Sequence, residues 1–381
     1  MKRLLSLWVL GVWCLAVCAQ SYYVELPYED VNGKLIVQAE VDGYTGRFVF
    51  DTGAPFYISH GLWQKLGGGE TGNQGVIDAA GHQMTVQKTA VGRLHLGGAD
   101  GLNFEGMKAN IIPAGNMIEA LGIDGIVGCD MLQRSVVRFD SKRRVIVITD
   151  DVTPFHISPR NRMKMEANGQ NCPFVTVNVG RGVIEEPLFD TGSAAFYAIG
   201  AETAAAGVRA GSVEVVDSGY GRSGFGLGGE AAATSRQRVR IADLRLGSGK
   251  FRNVTTSTSP GGTLMGSGVL KHGIVTLDYA HGAFYFEPFE AEPVDLDEKQ
   301  WNLDITYDKG DIRVAGVWNS LRGKDKVTLG DRLVAVDGVA LEKVSLEEAM
   351  KGNLLKIKKD AAEATLEGAD GQRYTITIER K

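Results

Sequence analysis

Two short segments of the sequence each place an aspartate directly after apolar residues and before a Thr-Gly pair. The first reads FVFDTGAPFYIS and contains Asp51, and the second reads EEPLFDTGSAAFYAIG and contains Asp190. A single aspartate in such a place is usually a turn former or a helix cap. Two aspartates at equivalent positions of a repeated segment indicate a shared function, because a duplicated fold can bring its two copies together.

Two carboxylates in close contact cannot both ionise cheaply, so they share one proton. The ionised carboxylate can act as a base on a water molecule, while the protonated one donates to the carbonyl oxygen under attack. This division of roles between Asp51 and Asp190 predicts amide hydrolysis by a water nucleophile. We expect neither a metal nor a cofactor, since the six histidines show no spacing typical of metal ligands.

The residues that follow each aspartate suit a rigid and tightly turned pair. A glycine allows backbone N–H groups to point at the carboxylate, and each threonine can hydrogen-bond the opposite turn. Rigidity matters because a loosely held pair loses much of its catalytic advantage. The predicted supporting residues are Thr52, Gly53 and Ala54 in the first turn and Thr191, Gly192 and Ser193 in the second.

Downstream landmarks repeat with nearly the same spacing. An apolar-apolar-Gly triplet occurs at residues 126–128 and again at 264–266, and its glycine follows the aspartate by 77 and 76 residues. A third pair, Asp140 and Asp278, follows the two aspartates by 89 and 88 residues. Three landmarks with one offset indicate a tandem duplication.

The elements that position the two turns are predicted to be strands. Residues 34–51 and 172–190 each contain two alternating runs joined by a Gly-containing turn, which predicts a hairpin that ends on the aspartate. Helical patterns are limited to short pieces such as GLWQKLG and AETAAAGV. We therefore predict a mainly β chain with two lobes, residues 20–152 and 153–290, related by pseudo-twofold symmetry.

The two Asp-Thr-Gly turns with their downstream triplets resemble the aspartic proteases of the pepsin and retropepsin group. The resemblance covers both predicted lobes and implies that Asp51 and Asp190 form the catalytic dyad. It also implies that Thr52 and Thr191 interlock and that the triplets brace the dyad. The lobes are shorter than those of pepsin and closer to a fused pair of retropepsin subunits. Ala54 replaces the hydroxyl residue common in pepsin-like turns, which predicts a pH optimum above that of strongly acid-adapted relatives.

In that family a hairpin closes over the bound peptide, and both lobes offer a candidate. These are VIDAAGHQMTV (76–86) and the glycine-rich DSGYGRSGFGLGG (217–229). The second also satisfies G-x-G-x-x-G, but no helix or βαβ unit follows it, which argues against a dinucleotide site. A plain solvent loop is the alternative for this stretch. The predicted flap residues are Ala79, Ala80 and Gly81 in lobe 1 and Gly219, Tyr220 and Gly221 in lobe 2.

The C-terminal part of the chain is predicted to be a separate α+β domain. Residues 291–300 are acidic and contain proline, which is typical of a linker. Residues 301–381 resemble a PDZ domain, because VTLGDRLVAVDGVAL carries its Gly-Asp-x-Leu strand and the following Asp-Gly hairpin. PDZ domains bind peptide termini by adding a strand to a sheet edge. The corresponding stretch WNLDITY lacks the usual glycine, so peptide binding and packing against the lobes both stay open.

The N-terminus and the composition indicate an exported protein. Residues 1–19 combine a positive start with a short apolar run that ends in small residues, which is typical of a cleaved signal peptide; lipoprotein anchoring fits less well. No later segment is apolar enough to cross a bilayer. Cys129 and Cys172 follow the signal, and the sequence leaves open whether they form a disulfide or stay free thiols. The net charge of −5, without basic clusters, argues against nucleic-acid binding.

Together these features predict a periplasmic or secreted aspartic endopeptidase that acts on peptides or proteins. The alternative is a non-catalytic peptide-binding protein that keeps the cleft but has lost turnover, with the PDZ-like domain as its interaction module. Two intact Asp-Thr-Gly turns favour the enzyme, because a lost activity usually leaves one aspartate replaced.

Overall fold

The structure is a computed structural model that describes residues 21–78, 80–259, 261–350, 354–355 and 357–381. The predicted signal peptide (1–19) and Ala79 of the predicted lobe-1 flap lie outside the described residues. The chain is mainly β, which confirms the predicted class, and its helices are short. No helix of the described part is both long and apolar enough to span a membrane.

The predicted lobe 1 (residues 20–152), described from residue 21, is built mainly from antiparallel hairpins and also contains two parallel strand pairs. The hairpin that leads to Asp51 turns at Asp42 and Gly43, whose φ angles are 48° and 87°. Positive φ at both positions matches the twist of the flanking strands. The elements are β1 Tyr23–Val31, β2 Lys34–Val41, β3 Tyr44–Asp51, β4 Tyr57–Ser59, α1 His60–Lys65, β5 Thr71–Ile77, β6 Gln83–Leu96, β7 Leu102–Ile112, α2 Met117–Ala120, β8 Gly125–Gly128, a 3₁₀ turn Cys129–Met131, β9 Val136–Asp140 and β10 Val145–Thr149.

Lobe 2 (residues 153–290) has shorter strands before its aspartate and a longer helix after it. Helix α3 begins after Gly200 and ends at Gly211, which has a φ of 72° and closes the last turn. Its elements are 3₁₀ turns Thr153–Phe155 and Pro159–Asn161, β11 Arg162–Ala167, β12 Pro173–Val175, β13 Val177–Asn178, β14 Ile184–Glu185, β15 Leu188–Asp190, β16 Ile199–Gly200, α3 Ala201–Ala210, β17 Val213–Gly221, β18 Phe225–Gly226, β19 Gly229–Glu230, β20 Thr234–Leu246, β21 Gly249–Ser259, β22 Leu264–Gly266, a 3₁₀ turn Ser267–Lys271, β23 Gly273–Asp278 and β24 Ala283–Pro288.

The predicted C-terminal domain (residues 301–381) contains a separate cluster of buried apolar residues, which includes Leu303, Val314 and Ile378. The predicted linker before it contains β25 Val294–Asp295, which pairs in parallel with β21. The elements of the domain are β26 Leu303–Asp308, β27 Asp311–Trp318, a 3₁₀ turn Lys324–Lys326, β28 Arg332–Val336, β29 Val339–Ala340, α4 Leu346–Met350, β30 Ala361–Glu367 and β31 Arg373–Glu379.

One hydrophobic core runs through both lobes beneath the two aspartate turns. Strand β9 of lobe 1 pairs antiparallel with β23 of lobe 2, which makes the sheet continuous across the lobe boundary. Inside this core Phe50, Phe139, Phe189 and Phe284 form a series of edge-to-face contacts with centroid distances of 5.7, 5.8 and 5.2 Å. Phe50 and Phe189 directly precede the two aspartates, so this packing anchors both aspartate turns to the shared hydrophobic core.

The C-terminal domain joins lobe 2 through backbone pairing. Residues Gly219–Gly221 of β17 pair antiparallel with Gly316–Trp318 of β27. Trp318 is 1% exposed, and the guanidinium of Arg238 lies 4.1 Å from its ring. Arg236 forms an ion pair with Asp304 at 2.9 Å. The lobe-2 hairpin and the C-terminal domain therefore share one sheet.

Candidate active site

Each aspartate ends a strand that pairs in parallel with the strand of its downstream triplet. Strand β3 pairs with β8 so that Asp51 lies beside Gly128, and β15 pairs with β22 so that Asp190 lies beside Gly266. The glycines of the triplets are needed at these points: an added Cβ at Gly128 would lie 2.2 Å from backbone after the first turn. The same register at both aspartates gives the two turns matching support.

The two turns are joined by a reciprocal set of threonine hydrogen bonds. The Thr52 backbone N–H donates to Thr191 Oγ1 and the Thr191 N–H donates to Thr52 Oγ1, both at 3.1 Å. The Thr52 hydroxyl donates to the carbonyl of Phe189 (2.6 Å), and the Thr191 hydroxyl donates to that of Phe50 (2.8 Å). Both threonines are fully buried. This arrangement fixes the distance between the two aspartate turns.

Glycine after each threonine lets the carboxylates approach the opposite turn. The N–H of Gly53 donates to Asp51 and that of Gly192 to Asp190, both at 2.8 Å. An added Cβ at Gly53 would lie 2.6 Å from Cγ of Asp190, and one at Gly192 would lie 2.2 Å from Oδ2 of Asp51. Since no side chain fits in these gaps, each carboxylate packs against the backbone of the other turn.

The electrostatics of the site favour a single shared proton. Burial raises the pKa of Asp190, and the charge of Asp51 and a side-chain hydrogen bond to it raise this pKa further. Burial and the same Asp51 charge also raise the pKa of Tyr57 to about 12, so the phenol beside the site stays protonated. Asp190 therefore keeps its proton above the usual range of an aspartate.

Lys34 reaches the second turn from the first hairpin of lobe 1. Its ammonium donates a hydrogen bond to the carbonyl of Gly192, and its positive charge lowers the pKa of Asp190, opposing burial and Asp51. The turn that precedes Lys34 is also held in place, because Ser267 Oγ donates to the carbonyl of Gly33 at 2.6 Å. The sequence prediction missed Lys34, because no local pattern connects residues 158 positions apart.

Ala54 and Ser193 support the turns through their backbones. The carbonyl of Ala54 accepts from the N–H of Cys129 (2.8 Å), and that of Ser193 accepts from the N–H of Ser267 (2.8 Å). The Ala54 side chain packs against an apolar cluster built on Tyr57, Ile112 and Ile126.

The tips of a lobe-1 hairpin and a lobe-2 hairpin meet near this cluster. The carboxylate of Asp78, whose side chain is 1% exposed, accepts from the N–H groups of His82 (2.8 Å) and Gly228 (2.7 Å). Asn116 Nδ2 donates to the carbonyl of Leu227 (2.9 Å), and the Leu227 side chain packs on the apolar cluster beside Ala54. These contacts join the two hairpin tips across the lobes on one side of the Asp51 turn, and the joined tips are called the hairpin cover below.

Of the predicted flap residues that the structure describes, two lie in this cover and three lie elsewhere. Ala80 and Gly81 lie in the lobe-1 hairpin turn, where the N–H of Ala80 donates to Asp78 at 2.9 Å. Gly219 and Gly221, with Tyr220 between them, lie instead in β17 against the C-terminal domain. A Cβ added at Gly219 would lie 2.6 Å from the carbonyl oxygen of Val317. A Cβ added at Gly221 would lie 2.4 Å from the Cα of Gly316. Close strand approach therefore accounts for these glycines, and their role as flap residues stays a prediction.

The lobe-2 residues at the cover are Leu227 and Gly228, which the sequence prediction did not single out. An apolar residue flanked by glycines in FGLGG was the available signal. No three His, Cys, Asp or Glu side chains among the described residues are arranged to hold a metal ion.

One comparison with known proteins covers the first aspartate turn. Residues 37–131 match the family model of aspartyl proteases, a range that includes Asp51 and its triplet strand β8. A retropepsin-like aspartic protease from Rickettsia conorii is 16% identical, with 34% of this chain and 93% of that chain covered and a TM-score of 0.26. No curated protein sequence matches the chain.

Proposed function

We propose that this protein is an aspartic endopeptidase in which Asp51 and Asp190 activate a water molecule to hydrolyse peptide bonds. The observation that supports this most strongly is the reciprocal hydrogen bonding of Thr52 and Thr191, which holds the two aspartate turns together. The aspartyl protease match over residues 37–131 supports the same chemistry for the first turn.

The two carboxylates divide the roles of base and acid. Asp51 is the ionised member and takes a proton from the water that attacks the peptide carbonyl. Asp190, which retains the shared proton because burial and Asp51 raise its pKa, donates it to the carbonyl oxygen. The proton taken by Asp51 then passes to the leaving amine as the C–N bond breaks, and the hydroxyl formed on the former carbonyl oxygen returns its proton to Asp190 as the new carboxyl terminus forms. No covalent intermediate forms, and both carboxylates return to their starting state.

The substrate is a peptide or protein segment that enters beneath the hairpin cover. The hydrogen bonds of Asp78 with Gly228 and of Asn116 with Leu227 have to open to admit it. Opening exposes the apolar cluster beside Ala54, which offers a surface for a substrate side chain. The cover then closes and limits the access of bulk water to the dyad.

Two further parts of the proposal concern the ends of the chain. The C-terminal domain is an interaction module of the PDZ type, and β26, which pairs with β27 on one side, is the strand to which a peptide ligand would add. Residues 1–19 act as a signal peptide that exports the enzyme to the periplasm or the exterior. Both parts rest on sequence pattern, and neither is needed for the dyad chemistry.

The test is cleavage of a mixed peptide library by the full chain from acidic to neutral pH. Asp51→Asn and Asp190→Asn should each reduce the rate by about 10⁴-fold or more, because a catalytic unit fails when either member is lost. The matched control is Asp100→Asn, which changes an exposed aspartate of lobe 1 and should leave the rate unchanged. Binding of peptides without cleavage by the wild type would instead support the non-catalytic alternative.

A further inference from the structure

Two cysteines from different lobes meet next to the first aspartate turn. Cys129 follows β8 and begins the 3₁₀ turn Cys129–Met131 of lobe 1, whereas Cys172 directly precedes β12 of lobe 2. Their Sγ atoms are 3.1 Å apart, and the residues are 0% and 3% exposed. Both thiols are free in the structure.

The backbone of each cysteine is held in place by its own lobe. The N–H of Cys129 donates to the carbonyl of Ala54 at 2.8 Å, and the N–H of Cys172 donates to Oδ1 of Asn168 at 2.9 Å. Asn171 Nδ2 crosses the boundary and donates to the carbonyl of Cys129 at 2.6 Å. The sulfur atoms are therefore brought together by fixed chain segments and not by flexible side chains alone.

The pair is directly connected to the turn that carries Asp51. Cys172 Sγ lies 3.6 Å from the carbonyl oxygen of Gly53, the residue whose N–H donates to the Asp51 carboxylate. The hydroxyl of Tyr279 is buried without a hydrogen-bond partner among the described residues, and burial, followed by the nearby Cys129 and Cys172, raises the pKa of this phenol. The two cysteines are thus buried where the two predicted lobes meet.

We propose that Cys129 and Cys172 are a redox site that forms a covalent clamp between the two lobes. The distance between the two sulfurs has to shorten from 3.1 Å to about 2.05 Å, the length of a disulfide bond. Each thiol loses its proton, and the pair loses two electrons to a disulfide of a small molecule or of a thiol–disulfide oxidoreductase, which is reduced to two thiols. One S–S bond forms in the protein as its two S–H bonds and the S–S bond of the oxidant break, and the two protons end on the two thiols of the reduced oxidant.

The clamp joins residues 43 positions apart and links the first aspartate turn to lobe 2. A crosslink stabilises the folded state mainly by restricting the unfolded chain. The hydrogen bond to Cys172 and burial raise the pKa of Cys129, so this thiol reacts slowly once the chain is folded. Oxidation therefore accompanies folding, as it does in the oxidising compartment that the N-terminal signal predicts.

The experiment refolds the full chain with oxidised glutathione, unfolds it without reductant, alkylates free thiols and maps the peptides by mass spectrometry. We expect a linked peptide pair containing Cys129 and Cys172, two hydrogens lighter than the separate peptides and split by reductant. Recovery of both cysteines as alkylated single peptides, or linked to Cys14 or Cys18 instead, would overturn the proposal.

A second measurement separates a clamp from simple packing. Oxidised wild type should unfold at a higher denaturant concentration than reduced wild type. Cys172→Ser should unfold at the same concentration with or without oxidant, because it lacks the bond. If the wild type also showed no dependence on oxidant, the pair would be a packing contact only. Neither measurement depends on proteolytic activity.

Discussion

Replacing Thr191 by valine removes a buried hydroxyl from the lobe interface and keeps the shape of the side chain. The change leaves the N–H of Thr52 and the carbonyl of Phe50 without the partners that they have at 3.1 and 2.8 Å. A buried backbone group left unpaired costs about 1–3 kcal/mol, and the methyl that valine adds returns about 0.8 kcal/mol. For the two groups together we therefore expect a loss of about 3 kcal/mol in the free energy of unfolding, within a range of about 1–5 kcal/mol.

The assay is urea unfolding of the full chain, compared with Thr191→Ser, which keeps the hydroxyl and loses only a methyl group. The serine variant should lose about 1 kcal/mol. Thr52→Val removes the other half of the same network, so the double variant should lose less than the sum of the single losses. The catalytic rate of Thr191→Val should fall by about 10²-fold, because the spacing of the carboxylates is no longer fixed. A valine variant within about 0.5 kcal/mol of the serine variant would refute the argument.

Four further changes test the electrostatics and the domain contact. Lys34→Met removes the charge that lowers the pKa of Asp190, so the alkaline limb of the pH–rate profile should move to higher pH than in Lys34→Arg; coinciding limbs would count against this role. The raised pKa of Asp190 means that the folded protein holds this proton more tightly than the unfolded chain. The resulting stabilisation is present below the unfolded pKa and is lost as pH rises through the folded pKa. Asp190→Asn should accordingly flatten the pH dependence of the unfolding free energy in urea titrations, and an unchanged dependence would contradict the shift. Gly221→Ala places a methyl 2.4 Å from the backbone of β27 and should reduce amide-exchange protection there, whereas Gly75→Ala meets nothing within 4 Å and should not. Ala54→Ser adds a hydroxyl to the turn that carries Asp51, and a hydrogen bond from this hydroxyl to the carboxylate should move the acidic limb to lower pH; an unmoved limb would contradict this.

The sequence predicts the two aspartate turns because their evidence is local and repeated. Each turn is defined by a few consecutive residues. The triplets at 126–128 and 264–266 follow the two aspartates at nearly equal distances in the sequence. The mainly β class also follows from local alternation of apolar and polar residues, and the structure confirms it. The two-lobe division and the catalytic roles of Asp51 and Asp190 stay predictions, which the hydrogen bonds between the turns support.

What the sequence does not show depends on contacts between distant segments. Lys34 contacts Gly192, which is 158 positions away in the sequence, and Asp78 contacts Gly228, which is 150 positions away. No pattern in either segment identifies the partner. Strand alternation predicts that β17 exists but not that Gly221 lies against the C-terminal domain. A glycine that permits close strand approach and a glycine that permits loop motion look the same in a sequence.

The most direct test of the central claim is hydrolysis of a cleavable peptide in water enriched in oxygen-18, followed by mass spectrometry of the products and of the protein. Attack by a water held between Asp51 and Asp190 predicts one heavy oxygen in the new carboxyl terminus of the first turnover, with no label in the protein. Label in either aspartate would indicate a covalent acyl intermediate and contradict the account. Wild-type protein that cleaves no peptide at any pH from acidic to neutral would contradict it outright.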